Sequence, residues 1–294
     1  MTVDLHQHLW PDAFLRALRA RTRPPRLDGW TLELEEGAYT IDPGAHDVDA
    51  RARQAADDGF DLVCVAPSAA LGIDRLPAAE AEALAAAWLD GALALPEPFL
   101  VWATGTDPKA LKDALDRGAI GLELAADVLA APGGLDRLAP LLDALNTARR
   151  PLLVHPGPPG DDDAGRPPWW TPVVPYVAQL HAAWWAWADG GRERHPGLPV
   201  CFAALAGLGP LHGERHRARG GQGSAIDPLT FVEISSYGTR AVDATIRVLG
   251  IDVVCFGSDR PYAEPAMPDL DPAALHAIGT RNAERLLSLS EVAA

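Results

Sequence analysis

The chain has 294 residues, 48% of them hydrophobic, and carries a formal net charge of −15 at pH 7. Its length suits one large domain, and the acidic balance, which no basic run offsets, argues against nucleic acid or an anionic membrane surface as a partner. No apolar stretch reaches the roughly 18 residues that a transmembrane helix needs, and the first residues resemble a strand rather than a signal peptide. The three cysteines, Cys64, Cys201 and Cys255, lie in predicted strands without CxxC spacing, so we expect buried, reduced thiols in a cytoplasmic protein.

Eight short apolar segments are predicted as strands, with helices between them. Several segments are continuously apolar, which is typical of parallel strands covered on both faces. The predicted strands are Val3–His8, Leu62–Ala66, Phe99–Gly105, Ile120–Leu124, Leu152–His155, Val200–Leu205, Phe231–Ser235 and Val253–Gly257. The clearest predicted helices are Asp49–Asp58, Pro77–Ala94, Pro108–Arg117 and Gly134–Arg149. This alternation predicts an α/β fold, a (β/α)₈ TIM barrel.

Two connections are longer than simple crossovers require. Residues 9–48 separate the first strand from its helix, and we predict a hairpin over Trp30–Ile41 that turns at Glu36–Gly37. Residues 156–198 follow the fifth strand and contain a polar, proline-rich segment and then five tryptophans. We therefore expect a single barrel over residues 1–294, with inserted loops after strands one and five that help to form a pocket.

The tryptophans of the second insertion form two groups. Trp184, Trp185 and Trp187 have helical spacing, which favours packing over substrate contact. Trp169 and Trp170 follow a proline pair in a loop, so they are candidates for a substrate-binding pocket wall, with packing as the alternative.

Polar residues end three of the predicted strands. His6 and His8 are two positions apart at the end of the first strand, so their side chains point to the same face. His155 ends the fifth strand, and Asp259 follows the eighth. Because the carboxyl ends of barrel strands meet at one rim, these four residues form a candidate metal site. We expect it to hold one ion, Zn²⁺ or another divalent transition metal.

Four segments, VDLHQHLWP, LLVHPG, FGSDRPY and TRNAERLL, resemble the amidohydrolase superfamily. The resemblance covers nearly the whole chain and is strongest to the amidohydrolase-related branch, which includes the aminocarboxymuconate semialdehyde decarboxylase-like proteins. It implies that His6, His8, His155 and Asp259 bind Zn²⁺ or a similar ion. It also implies a histidine at the end of strand six, in a segment like HAGGxxP. The corresponding segment here is FAALAGLGP, which places Leu205 at that position, and leucine can neither bind a metal nor donate a proton.

Three further residues near the strand ends each have two interpretations. Glu123 ends strand four, near the place where some family members hold a bridging carboxylated lysine or a glutamate, so it is a candidate metal ligand. A salt bridge or an outward position is the alternative for Glu123. Arg260 could bind an anionic group of the substrate or pair with an acidic residue. Glu233, on strand seven, faces the pocket or forms hydrogen bonds within the barrel, and we favour the second.

His212 and His216, in LHGERH, lie four residues apart in a possible helix after strand six. The glutamate between them is in the wrong position for a zincin motif. We expect both histidines on an exposed helix, where His212 is the nearest replacement for the missing histidine.

Three functional hypotheses follow. The leading one is a metal-dependent hydrolase of a small lactone, amide or related carbonyl compound, in which the ion activates water and Asp259 is the catalytic residue that accepts and delivers its proton. The alternative, which follows from the resemblance, is a metal-dependent nonoxidative decarboxylase of an unsaturated or aromatic acid, and the missing histidine counts against it. The third is a noncatalytic barrel that binds a small molecule. The expected partner is a small-molecule substrate, and association into a homo-oligomer is left open.

Overall fold

Eight parallel strands form the wall of a barrel at the centre of the molecule. The computed structural model describes residues 1–160, 165–222 and 226–288. In chain order, with three strands of a separate sheet included, the strands are β1 (Val3–His8), β2 (Arg26–Asp28), β3 (Thr31–Leu34), β4 (Gly37–Thr40), β5 (Leu62–Ala66), β6 (Phe99–Ala103), β7 (Gly121–Ala125), β8 (Leu152–His155), β9 (Val200–Phe202), β10 (Thr230–Glu233) and β11 (Val254–Cys255). The barrel strands pair in the order β1-β5-β6-β7-β8-β9-β10-β11.

Backbone hydrogen bonds between β1 and the segment that begins with β11 close the barrel. The N–H of Leu5 donates to the carbonyl of Phe256 at 3.1 Å, and the N–H of Asp259 donates to the carbonyl of His6 at 2.9 Å. The predicted (β/α)₈ barrel is therefore confirmed. Four predicted strands extend two or three residues too far, because their last residues turn into the loops of the rim.

Helices surround this barrel. They are α1 (Asp12–Ala20), α2 (Val48–Asp57), α3 (Ala78–Ala92), α4 (Pro108–Asp116), α5 (Ala126–Ala130), α6 (Gly134–Ala148), α7 (Trp170–Val173), α8 (Pro175–Ala186), α9 (Arg192–Arg194), α10 (Gly213–Ala218), α11 (Thr239–Leu249), α12 (Pro272–His276) and α13 (Asn282–Leu287). The four clearest predicted helices correspond to α2, α3, α4 and α6. Asp107 explains the start of α4, since its carboxylate accepts hydrogen bonds from the backbone N–H groups of Lys109 and Ala110. No described helix combines the length and the apolar composition needed to cross a bilayer.

The first insertion contains α1 and a three-stranded antiparallel sheet, β2-β3-β4. The predicted hairpin corresponds to β3 and β4. Leu34 pairs with Gly37, so the turn is Glu35–Glu36, one residue earlier than predicted. Within the insertion the His46 ring stacks on Trp10 with ring centroids 4.4 Å apart, and the indole N–H of Trp10 donates to the carbonyl of Pro67, just after β5, at 2.9 Å.

The second insertion places α7, α8, a π-helical turn over Trp187–Gly191 and α9 between β8 and β9. Trp184 and Trp187 are each 1% exposed, which confirms that they pack in the core. The Trp184 ring contacts Phe202 edge to face. Trp185 is partly buried and stacks on His216 with ring centroids 4.2 Å apart.

The three cysteines lie on three different barrel strands, Cys64 on β5, Cys201 on β9 and Cys255 on β11. All are free thiols and fully buried. Burial raises the pKa of each thiol well above its ordinary value. The expectation of buried, unpaired cysteines is therefore confirmed.

A left-handed backbone segment follows β9. From Ala204 to Leu208 five consecutive residues have φ between 46° and 59°, and only Gly207 among them is a glycine. Consecutive L-residues in this conformation cost about 1–2 kcal/mol each. The segment is held by packing against α8 and by the complete burial of Leu205 and Ala206. Gly207 is required for two reasons: its φ is positive, and a Cβ atom there would lie 2.4 Å from the carbonyl oxygen of Val177.

Candidate metal centre

Three histidines meet at the carboxyl end of the barrel. His6 and His8 project from the same face of β1, and His155 ends β8. Their rings are nearly perpendicular to one another, with centroids 4.8–5.1 Å apart. Asp259 joins them from the loop after β11, where its φ of 60° is one that aspartate tolerates better than most residues. The structure therefore brings together the four predicted ligands.

Each histidine presents the same nitrogen to the centre, because the other nitrogen is hydrogen-bonded elsewhere. Nδ1 of His8 lies 3.1 Å from the carbonyl oxygen of Ala66, and Nδ1 of His155 lies 2.8 Å from that of Pro156. Nδ1 of His6 lies 3.3 Å from Oε1 of Glu233. These oxygens accept hydrogen bonds, so we assign the ring proton to Nδ1 in all three residues. The Nε2 lone pairs are then left for a ligand.

The central atoms are too close together for a set of hydrogen-bond acceptors alone. Nε2 of His6 and Nε2 of His8 are 3.1 Å apart, and Oδ1 of Asp259 lies 3.1 Å from the latter. One ligand atom from each of the four residues lies within 4.8 Å of all the others. Two nitrogens bound to one tetrahedral Zn²⁺ are about 3.3 Å apart, given Zn–N bonds near 2.05 Å. Imidazole and carboxylate donors at this spacing fit a divalent transition metal.

The pKa values of the three histidines also favour a metal ion at the centre of the cluster. Burial lowers the pKa of His6, but the hydrogen bond that His6 donates to Glu233 and the charge of Asp259 outweigh it and raise that pKa to about 9. Burial and the neighbouring His6 charge lower the pKa values of His8 and His155 far below the usual value. The site thus stabilises positive charge at its centre while keeping two of its imidazoles neutral, which metal binding requires.

Asp4 links the two chain segments that carry most of the ligands. Its Oδ1 accepts hydrogen bonds from the N–H groups of His6 and Ser258, at 3.2 and 3.0 Å, and its Oδ2 accepts one from Gln7 at 2.7 Å. Arg51 continues the network, donating to the Gln7 side chain and, at 3.1 Å, to the carbonyl of His8. Asp4, Gln7 and Arg51 were not predicted from the sequence. The available signal was an aspartate and a glutamine inside a buried strand.

Glu233 is a fully buried support for His6. Besides His6, its carboxylate accepts hydrogen bonds from the N–H of Ala204 and from the N–H and hydroxyl of Ser235, at 2.6–2.7 Å. The favoured interpretation, hydrogen bonding within the barrel, agrees with this structure. One of those hydrogen bonds, however, orients a metal ligand.

The strand-six position has an apolar residue, as the sequence indicated. Leu205 is completely buried, whereas Ala204 is partly exposed and its N–H donates to Glu233 beside the site. Both residues lie in the left-handed segment, and the assignment of Leu205 to the strand-six position stays a prediction. Neither residue can donate a proton or bind a metal.

Glu123 lies outside the four-residue cluster. Its nearest ligand contact is 4.0 Å, from Oε1 to Nδ1 of His155, and neither carboxylate oxygen has a hydrogen-bond partner of normal geometry. Burial raises its pKa to about 7. Beside it is a cavity of about 10 Å³, room for a single water molecule, which is also lined by Ser68, Asp74 and Thr104.

The candidate substrate-binding residues are placed as follows. The guanidinium of Arg260 forms ion pairs with Asp58 at 2.5 Å and Glu264 at 2.9 Å, so the structure shows the second interpretation of this residue. Trp169 is 57% exposed, and its ring lies beside that of Trp170 with centroids 5.8 Å apart. A pocket-wall role for these two tryptophans stays a prediction.

Tyr262 stands at the mouth of the site. Its side chain is about half exposed, and its ring centroid lies 5.3 Å from that of His8. The residue lies three positions after Asp259, and no role was predicted for it from the sequence. The mouth therefore offers an aromatic surface next to the ligand cluster.

Solved structures with the same fold include several decarboxylases, although no protein-family model and no curated protein sequence matches the chain. IDCase from Metarhizium anisopliae, in its apo form, has a TM-score of 0.79 at 17% identity, with 99% of this chain and 97% of that chain covered. The 5-carboxyvanillate decarboxylase from Sphingomonas paucimobilis has a TM-score of 0.75 at 17% identity, with 98% of each chain covered.

A dihydroxybenzoic acid decarboxylase from Polaromonas sp. JS666, with bound manganese and the inhibitor 2-nitroresorcinol, has a TM-score of 0.72 at 17% identity, with 98% of this chain and 97% of that chain covered. At such identities the likeness establishes architecture rather than activity. What the likeness shows is the fold: the chain has the same barrel as these solved structures.

Proposed function

We propose that the protein is a metal-dependent decarboxylase of an aromatic acid. The observation that carries the proposal is the cluster of His6, His8, His155 and Asp259 at the mouth of a barrel whose solved relatives include aromatic-acid decarboxylases, one of them with manganese. This was the alternative hypothesis from the sequence. The comparisons support it better than the hydrolase hypothesis, because several of the similar structures are decarboxylases.

The four residues would hold the ion, and the hydrogen bonds of the histidine Nδ1 atoms would keep the rings in place. A divalent ion there would bind the substrate's carboxylate and a neighbouring oxygen and draw electron density from them. The histidine side chains are 0–7% exposed, whereas that of Asp259 is 23% exposed. Asp259 is thus the ligand that most directly faces an incoming substrate.

Decarboxylation needs one proton for the ring carbon. The carbon–carbon bond to the carboxyl group breaks, CO₂ leaves, and the electron pair left on the ring carbon takes up a proton. The side chain of Ala204, at the end of strand six, cannot donate a proton. We therefore assign the proton transfer to Asp259, which then regains a proton from solvent. The Tyr262 ring beside His8 provides an apolar surface against which an aromatic substrate would lie.

The test is CO₂ release from a panel of hydroxylated benzoic acids by protein loaded with Mn²⁺ or Zn²⁺. Asp259→Asn should lower kcat by about 10²–10⁴-fold, the usual contribution of a positioned acid or base. Metal content is measured in parallel, and Asp57→Asn, at an exposed position on α2, serves as the matched control. Unchanged turnover in Asp259→Asn, or no CO₂ from any acid in the panel, would overturn the proposal.

Hydrolysis is a second candidate because of one observation: the side chain of Ala204, at the end of strand six, cannot donate a proton. In a hydrolytic reaction Asp259 would accept the proton of the attacking water and pass it to the leaving group, so a strand-six donor would not be needed. Acid release from a panel of lactones and amides, without CO₂ release, would favour this candidate. Stoichiometric metal without turnover in either panel would favour a binding protein.

A further inference from the structure

A second pair of histidines lies outside the metal centre, where the second insertion meets the segment that follows β9. His181 is on α8, and His212 lies four residues after the end of the left-handed segment. Their ring centroids are 4.7 Å apart at an interplanar angle of 69°. His181 is partly exposed and His212 is exposed, so both rings are accessible to small solutes. The proposed function makes no use of either residue.

The ring centroids of this pair are as close as those in the metal centre, although the rings are less nearly perpendicular. There, ring centroids 4.8–5.1 Å apart at 80–89° accompany a distance of 3.1 Å between Nε2 of His6 and Nε2 of His8. A pair of rings at 4.7 Å can therefore bring two nitrogens to within the roughly 3.3 Å that one tetrahedral ion requires. The two residues come from different elements, so the pairing is a product of the fold and not of a local helical repeat.

We propose that His181 and His212 form a second binding site for a transition-metal ion such as Zn²⁺, Cu²⁺ or Ni²⁺. Two imidazoles are borderline-soft nitrogen donors that suit these ions and do not suit Mg²⁺ or Ca²⁺. With two protein ligands, the remaining coordination positions are filled by water, and the ion exchanges with solvent.

The protonation state of His181 favours metal binding near neutral pH. Burial and the neighbouring His212 lower the pKa of His181 below its ordinary value. A neutral His181 keeps a lone pair free for an ion, as metal binding by histidine requires.

A metal ion bound by this pair would link helix α8 to the segment that follows β9. Helix α8 packs along the segment that ends at His212. Two residues before His181, the side chain of Gln179 accepts a hydrogen bond from the N–H of Gly157 at 2.7 Å and donates one to the carbonyl of Pro158 at 2.9 Å. A metal ion between His181 and His212 would therefore fasten α8, and with it the loop that directly follows His155.

The test counts metal ions on the untagged full chain. The protein is first loaded with Mn²⁺ and then dialysed against Zn²⁺, and the sum of manganese and zinc per chain is measured, so that exchange at the centre is not counted as new binding. We expect the wild type to hold one more equivalent than His181→Ala and His212→Ala. His276→Ala, which removes an exposed histidine on α12, is the matched control and should bind like the wild type.

The outcomes separate this site from the metal centre. A difference of one equivalent between the wild type and the two variants supports the pair even if the centre itself binds nothing. Equal metal content in the wild type, His181→Ala and His212→Ala would overturn the proposal. Zinc should also slow amide hydrogen exchange in α8 of the wild type and not of His212→Ala. Unchanged exchange with the extra zinc bound would contradict the fastening of α8.

Discussion

Glu233 and Glu123 are both buried carboxylates on barrel strands near a histidine ligand, yet their surroundings are opposite. Glu233, on β10, accepts hydrogen bonds from Ala204, Ser235 and His6. Glu123, on β7, has no partner of normal geometry and borders a small cavity. Because buried polar groups are nearly always paired, the difference separates a wall of the barrel that fixes ligand geometry from a wall whose carboxylate borders a cavity with room for one water molecule.

The most direct test of this difference is to neutralise each carboxylate in turn and to measure the affinity for metal. Glu233→Gln places an amide among N–H and hydroxyl donors and weakens the acceptor for Nδ1 of His6. We expect it to lower the affinity for metal about 10–100-fold, as is typical when a support of a metal ligand is lost. Chelator competition measures the affinity.

Glu123→Gln is the matched control for that experiment. Its oxygens come no closer than 4.0 Å to the nitrogen of His155, so the affinity for metal should stay close to the wild-type value. An equal loss in both variants would show that Glu123 also supports the centre, and the contrast between the two walls would fail.

A second change tests the backbone that supplies the Ala204 N–H to Glu233. Gly207→Ala adds a Cβ at a φ of 57° and 2.4 Å from the carbonyl oxygen of Val177. We expect a loss of about 1–3 kcal/mol in the free energy of unfolding, measured by urea denaturation. Gly160→Ala, at an exposed glycine with open space around it, should change stability by less than about 0.5 kcal/mol. Similar values for both variants would mean that the left-handed segment adapts to a side chain without strain.

The smallest effect concerns Asp74, which lines the cavity beside Glu123. Burial and the neighbouring Asp127 raise its pKa from 3.8 to about 6. The unfolded chain therefore releases this proton at lower pH than the folded protein, and the wild type loses stability as pH rises from 3.8 to about 6.

Asp74→Asn should remove that loss. After allowance for its partial exposure, we expect the variant to be more stable than the wild type by on the order of 1 kcal/mol above this pH window, with little difference below it. Urea titrations on both sides of the window measure the effect, and Asp57→Asn at an exposed position is the control. A gain of equal size at both ends would point to a cause other than the ionisation of Asp74.

The barrel and its four ligands could be predicted from the sequence because both depend on local signals. Apolar runs mark the strands, and a polar residue at the end of a strand is placed on the rim by the topology alone. His6, His8, His155 and Asp259 needed no further information.

The supporting contacts could not be predicted in this way. Asp4 contacts Ser258 across 254 residues, and His6 contacts Glu233 across 227. Such pairings depend on how the barrel closes, which no local pattern encodes. The left-handed backbone of FAALAGLGP could not be predicted either, because only one of its five left-handed residues, Gly207, is a glycine.

The three buried cysteines give the folded protein a built-in chemical reporter. Cys64, Cys201 and Cys255 sit at separate points around the wall, and a thiol reagent can reach each of them only when the strand that carries it separates from its neighbours. Their labelling rates, followed one by one by mass spectrometry, would show whether the barrel opens at one seam or all at once.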